Sequence, residues 1–239
     1  MSNQNNIQVV GEAAQGALTS VTRELLGGAR DLAGQTSGSV YLLLMGKDGR
    51  AAAREGISLG ADKVFVADHE SMNEFNGDAY TFLITAFCKE QQPGLVMMGQ
   101  TDWGRDLAPR VAARLEAGLC MDCTDVKYDA AQGCFIQTRP VYGGKAMAVM
   151  ASTAGKMQID TIRPKSLAPP APDAGRQGEI VSLSDSFDTA SVKAKLVQCE
   201  DAARGGDDIE NAKLIVAGGG GVGGAEGFKM IAELANLLQ

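Results

Sequence analysis

The sequence predicts a doubly wound α/β fold, built on a mainly parallel sheet with antiparallel hairpins appended to it. Three observations carry that prediction. Apolar runs such as Val40–Met45 and Leu95–Met98 show no polar alternation, as strands covered on both faces require. Amphipathic stretches of helical period separate these runs, so the chain crosses over between strands, which makes the sheet parallel and right-handedly wound. Past residue 120 the pattern changes to short β-like runs joined by glycine turns, the mark of hairpins.

The elements follow in order. Ile7–Val10 reads as a short strand. Residues 19–32 carry Val21, Leu25, Leu26, Ala29 and Leu32 on one helical face. After the strand at Val40–Met45, residues 50–59 form a helix that Gly60 stops, since glycine adopts the left-handed conformation that ends helices. Lys63–Ala67 is the third strand and residues 79–90 the next helix. Leu95–Met98 precedes a helix at residues 105–115, where Leu107, Val111 and Leu115 share a face and Pro109 lies near enough to the start to be tolerated. Thr124–Tyr128, Cys134–Thr138 and Ala146–Met150 are the hairpin strands, with turns at Gly133 and Gly143-Gly144. The proline-rich Ala168–Pro172 is expected to leave the compact unit, followed by strand-like runs at 179–183 and 191–199 and a boundary at 201–208.

With 239 residues, 45 % of them hydrophobic, the chain has enough apolar material for a substantial core. A net charge of -7 and a pI near 4.8 argue against nucleic acid as a partner, because wrapping a phosphate backbone needs clustered Lys and Arg. No apolar run approaches the ~20 residues of a membrane span, and residues 1–6 lack a basic, apolar leader, so a cytoplasmic protein without membrane partners is expected. The five cysteines are an odd number in a chain too large to need disulfide staples. Cys120-Met-Asp-Cys123 has CxxC spacing, but the chain holds no second CxxC and only one histidine, His69. Tetrahedral zinc therefore lacks ligands and no metal is assigned; the pair reads as cysteines packing in or beside a strand, with redox use as the alternative, since an isolated CxxC is a weak motif outside a thioredoxin-like context.

Two segments are candidate binding sites. Residues 213–217 read as a buried strand, Gly218–Gly224 as a glycine turn and residues 225–238 as a helix with Phe228, Ile231 and Leu238 on its apolar stripe. Gly219, Gly221 and Gly224 satisfy GxGxxG in one of several registers; the segment is either a phosphate or flavin cradle or a plain flexible turn. Residues 99–105, Gly-Gln-Thr-Asp-Trp-Gly-Arg, join a strand's C-terminal end to a helix start, where ligands settle in open α/β sheets. Thr101 or Asp102 there is equally an ordinary N-cap, Arg105 a surface ion-pair partner, and Trp103 either a partner-facing anchor or packing. His69 between two acids reads as a solvated loop residue, and no serine lies in a GxSxG elbow. No catalytic residue is assigned; the chain offers binding chemistry rather than bond-making chemistry.

Five ordered stretches resemble the α subunit of electron-transfer flavoproteins: Val9-Val-Gly-Glu12 with residues 25–32; residues 104–115; Ala117-Gly-Leu119 with Asp122-Cys-Thr124; residues 139–144; and Thr161-Ile-Arg-Pro164. The Asp-Cys-Thr wording is similar to the anaerobic and nitrogen-fixation-associated branch. The resemblance implies an electron carrier rather than an enzyme. It would pair with a β subunit and pass electrons by way of FAD from a dehydrogenase to a quinone-linked or other reductase. It also implies residues 1–185 as the N-terminal domain, 186–208 as connecting strand and linker, and 209–239 as the opening of an incomplete, Rossmann-like FAD domain. Gly219, Gly220 and Gly221 would be the cofactor-binding residues. The family's turn carries an arginine where this chain has Gly220, which leaves backbone N–H groups as the donors. Its later flavin motifs would fall past Gln239, so the chain is expected to supply only the edge of a flavin site, as a truncated, split or degenerate form. The alternatives are a small nucleotide-binding module at residues 99–105 and a degenerate paralogue acting as an interaction domain.

Overall fold

The computed structural model describes residues 3–183, 192–194, 197–198 and 212–238. It divides into two compact units, Met1–Leu196 and Val197–Gln239. The first unit contains strands β1 (Ile7–Gly11), β2 (Ala13–Ala14), β3 (Ala17–Leu18), β4 (Val40–Met45), β5 (Lys63–Ala67), β6 (Leu95–Gly99), β7 (Gly118–Cys123), β8 (Asp125–Asp129), β9 (Cys134–Val141), β10 (Ala146–Ala151), β11 (Gln158–Ile162) and β12 (Glu179–Ser182). Its helices are α1 (Ser20–Thr36), α2 (Lys47–Ser58), α3 (Gly77–Gln91) and α4 (Asp102–Leu115). The second unit contains helix α5 (Ala225–Leu237).

Seven strands form one sheet in the order β12-β5-β4-β1-β6-β11-β7, and every pairing in it is parallel. Alternate residues of the central strands feed two cores, because successive side chains point to opposite faces. Ile7, Val9, Leu42, Leu44, Val64 and Val66 pack with Leu25 and Leu26 of α1 and Ala52 and Ile57 of α2. Val10, Leu43, Phe65, Val96 and Met98 pack with Leu83, Ile84 and Phe87 of α3 and Leu107 and Val111 of α4. This is the doubly wound arrangement that the unbroken apolar runs require. β8, β9 and β10 form a separate antiparallel sheet, the hairpins expected from the glycine turns.

Three findings depart from what the sequence predicts. First, β11, where no strand is expected, is an inner strand of the sheet, although Gln158-Ile-Asp-Thr-Ile162 lacks an apolar run. Its polar side chains are buried because they are satisfied: Gln158 Nε2 donates to Asp160 at 2.7 Å and Gln137 Nε2 of β9 donates to it at 3.2 Å. Burial nonetheless pushes the Asp160 carboxyl up to about 7. Second, the proline-rich stretch does not leave the first unit. Its Ala168 carbonyl lies where a Cβ on Gly27 of α1 would stand, 2.1 Å away, and the Asp173 amide donates to Ser58 O at 2.8 Å before the chain enters β12. Prolines need no ladder partner, and the glycines of α1 open a path for that backbone. Third, Lys213–Ala217 is not a strand. Among the described residues it has no ladder partner, and Leu214 and Ile215 are each 58 % exposed. The predicted strand at 191–199 and the boundary at 201–208 lie largely or wholly outside the described residues.

Candidate functional site

The winding reverses between β1 and β6, and the C-terminal ends of those neighbouring strands open the crevice where doubly wound sheets take ligands. Here the chain has furnished the crevice with its own groups. Glu12 follows β1; its backbone exchanges hydrogen bonds with Thr22 Oγ1 of α1, at 2.8 and 2.9 Å. Thr101 Oγ1 donates to Glu12 Oε1 at 2.5 Å while accepting from the Gly104 amide at 3.2 Å, so Thr101 is the N-cap of α4 and ties the carboxylate to it. Burial raises the Glu12 carboxyl above its ordinary range; the Thr101 bond opposes that rise and the charge of Asp102 adds to it. α4 starts hard against β6: a Cβ on Gly104 would stand 1.8 Å from the Gly99 carbonyl oxygen.

A line of bonds continues along the same edge. Gln100 N donates to Ile162 O at 2.7 Å, the Thr161 hydroxyl donates to Gln100 Oε1, and the Asp122 amide donates to Thr161 Oγ1 at 2.9 Å. Arg163 then grips Asp122 with both ends of its guanidinium, at 2.9 and 2.7 Å. That guanidinium holds the Asp122 carboxyl below the usual carboxylate range. Stretches far apart in sequence, around Glu12, Thr101, Asp122 and Thr161, therefore meet at one end of the sheet. Sequence reasoning quoted these residues as wording without giving Glu12, Asp122 or Arg163 a role. Their order along the chain was the available signal.

The other candidates resolve into packing. Trp103 stacks on Phe75 at 5.1 Å and meets Tyr80 edge-on at 5.2 Å, so it anchors α3 to α4. Arg105 is exposed and has no ion pair among the described residues. His69 is half-buried, and its ring nitrogen accepts from the Ser71 amide at 3.2 Å at the start of a short helical turn. No three His, Cys, Asp or Glu residues among those described converge as metal ligands.

The second unit places Gly219, Gly220 and Gly221 in a tight turn. The Val222 amide donates to Gly219 O at 3.1 Å and the Gly223 amide to Gly220 O at 3.4 Å. Gly223 and Gly224 take the left-handed φ values of 76° and 100° that favour glycine, and lead into α5. A Cβ on Gly219, Gly220 or Gly221 would meet nothing within 4 Å. The N-cap of α5 is Gly224, with no side-chain cap bond, so no side chain has taken the first-turn N–H groups. An open glycine turn leading to N–H donors that no side chain caps fits an anionic group such as a phosphate. Phe228, Met230, Leu234, Leu237 and Leu238 of this unit are exposed, while Ile231 is half-buried near Gly218.

These features define a doubly wound α/β protein whose own carboxylate furnishes the sheet crevice, with open space beside its glycine turn. The electron transfer flavoprotein domain model matches residues 7–188, and the chain belongs to that family. It is 37 % identical to the electron transfer flavoprotein subunit alpha of Megasphaera elsdenii, over 97 % of this chain and 69 % of that protein. It is 34 % identical to the subunit of the same name in Thermoanaerobacterium thermosaccharolyticum, over 100 % of this chain and 72 % of that protein. It is 35 % identical to the protein FixB of Clostridium saccharobutylicum, over 97 % of this chain and 69 % of that protein. The chain is thus an α-type subunit of the electron-transfer flavoproteins, as its five ordered stretches implied.

Proposed function

We propose that this α-type subunit pairs with a β subunit and helps to hold an FAD that carries electrons from a dehydrogenase to an electron-accepting reductase. It is then a carrier subunit rather than an enzyme. In this reading residues 1–185 are the scaffold for the partner and residues 209–239 open the flavin-binding domain. Gly219, Gly220 and Gly221 offer backbone N–H groups to the cofactor, Gly220 standing where the family's turn carries an arginine, and the first-turn amides of α5 face its phosphates. FAD supplies the redox chemistry through its isoalloxazine; the chain's part is to bind and orient it.

The single observation that carries the proposal is the uncapped start of α5 behind the open glycine turn, in a chain of this family. The nucleotide-module alternative at residues 99–105 has less support, since the Glu12 carboxylate is hydrogen-bonded to the α4 cap where a phosphate would need the same positive end. No helix among the described residues is long and apolar enough to cross a membrane. Co-purification with the cognate β subunit tests the reading. The expected result is a stable complex at micromolar concentration that retains flavin by visible absorbance. Failure to associate would sink it, and saturable AMP binding by the isolated chain in calorimetry would favour the module instead.

A further inference from the structure

The CxxC of β7 does more than pack. On a regular strand, residues three apart point to opposite faces. Here Asp160 of β11 pairs with Cys120 and Ile162 pairs with Cys123, so β7 spends three steps where β11 spends two. The extra residue is a bulge at Asp122, whose φ of 62° is left-handed. The bulge turns both cysteines into the same core, where they are 1 % and 0 % exposed, and the Cys123 thiol donates to Cys120 Sγ at 3.2 Å. Bonds outside the pair hold this arrangement: Arg163 grips the Asp122 carboxylate and Thr161 accepts from its amide. A disulfide needs its sulfurs at about 2.05 Å, so closure requires an approach of only about 1 Å.

We propose that Cys120 and Cys123 are a reversible dithiol–disulfide couple, oxidised by a small peroxide and separate from any flavin chemistry. The other described cysteines differ. Cys88 is buried, which pushes its thiol up to about 12, and neither it nor Cys134 has a thiol hydrogen bond to another cysteine among the described residues. Within the pair, the hydrogen bond from Cys123 is the largest influence on Cys120 and lowers its thiol below the ordinary range. Burial and the Asp160 carboxyl oppose this, and the Arg139 guanidinium assists. The same bond, with burial, raises Cys123. Arg139 Nε is itself buried without a hydrogen-bond partner. Because Cys120 Sγ is the acceptor of the Cys123 thiol's hydrogen bond, Cys120 is taken as the attacking sulfur and Cys123 as the resolving one.

The chemistry balances in two steps. The Cys120 thiolate attacks one oxygen of hydrogen peroxide; an S–O bond forms, the O–O bond breaks, and the departing hydroxide takes up a proton to become water. Cys123 sulfur then attacks Cys120 sulfur; the S–S bond forms, the S–O bond breaks, and the hydroxyl leaves with the Cys123 proton as a second water. Two electrons pass from the two sulfurs to the peroxide, and a small dithiol such as dithiothreitol returns them by exchange. Burial selects a small, neutral oxidant over bulky disulfides.

The test uses the full chain. After graded peroxide treatment, remaining thiols are alkylated under denaturing conditions and the chain is digested with trypsin. The peptide 115–127 holds both cysteines and no other. It should appear unalkylated and two hydrogens lighter, and return to a doubly alkylated form after dithiothreitol. This is expected at a peroxide dose about tenfold below that which modifies Cys88, since reactivity follows thiolate character. In Cys123→Ser, checked for native far-UV circular dichroism, a sulfenic acid should accumulate at Cys120 and be trapped by dimedone. A peptide that keeps both alkylatable thiols at doses that already modify Cys88 would overturn the proposal. So would a folded Cys123→Ser that yields no dimedone adduct. If that variant does not fold, the wild-type peptide map decides alone.

Discussion

Helices α4 and α5 each begin in a glycine-bearing turn, yet their first turns are in opposite states. At α4, Thr101 satisfies the Gly104 amide and holds Glu12, and Gly104 exists to let the helix press on the Gly99 carbonyl. At α5 the cap is a glycine with no side-chain bond, and three glycines of the turn border empty space. A glycine beside a helix start does not by itself make an anion site. What decides is whether the chain's own side chains have already used the positive end of the helix.

The largest test of this contrast is Gly104→Ala. Its methyl would stand 1.8 Å from a backbone oxygen, and backbone cannot swing aside as a flexible side chain can. A loss of about 3 kcal/mol in urea unfolding is expected, at the upper end of ordinary overpacking. A loss below about 0.5 kcal/mol, the range of neutral surface changes, would mean that α4 is not locked to β6.

Glu12→Gln gives a smaller, pH-dependent effect. Because the folded carboxyl titrates above its unfolded counterpart, the folded state binds more protons between those two values, and stability falls as pH rises through them. The amide keeps an oxygen for Thr101 and carries no charge. The variant should therefore gain on the wild type as pH rises from about 4.5, the ordinary carboxylate range, towards 8. Parallel unfolding midpoints across that range would show that the carboxylate is not strained in the crevice.

The layered fold was legible because apolar runs and helical stripes report local burial directly. Leu42, Leu43 and Leu44 had to be covered on both faces, and they are. β11 was not legible: Asp160 and Gln158 look exposed in one dimension, and the Gln137 that helps to satisfy Asp160 arrives from a strand over twenty residues earlier. The path of Ala168–Pro172 was hidden for a similar reason, since nothing in a proline run announces the glycines of α1 that receive it. Thr101 as a cap was readable from its place before a helix. The bonds of Glu12 and Asp122 depend on the register of neighbouring strands, which no short motif encodes. The stretches that resembled the family carried that register implicitly, as residues conspicuous for their wording before their contacts were known.

The smallest stability effect belongs to Gly221→Ala, and it probes the other helix. No atom lies within 4 Å of the added methyl, and Gly221, unlike Gly223 and Gly224, is not in the left-handed region. The substitution should therefore leave stability nearly unchanged, or raise it by up to about 0.5 kcal/mol by restricting the unfolded chain. The same methyl occupies the space that the turn keeps open in front of its amides. Flavin retained by the complex with the β subunit after dialysis should fall while the complex itself stays intact. Gly224→Ala, where φ is 100°, separates the two effects, because it strains the turn directly and should lower both retention and helicity. If Gly221→Ala keeps its full flavin content within an intact complex, the open turn is a connection and not a cradle, and the contrast between α4 and α5 loses its functional meaning.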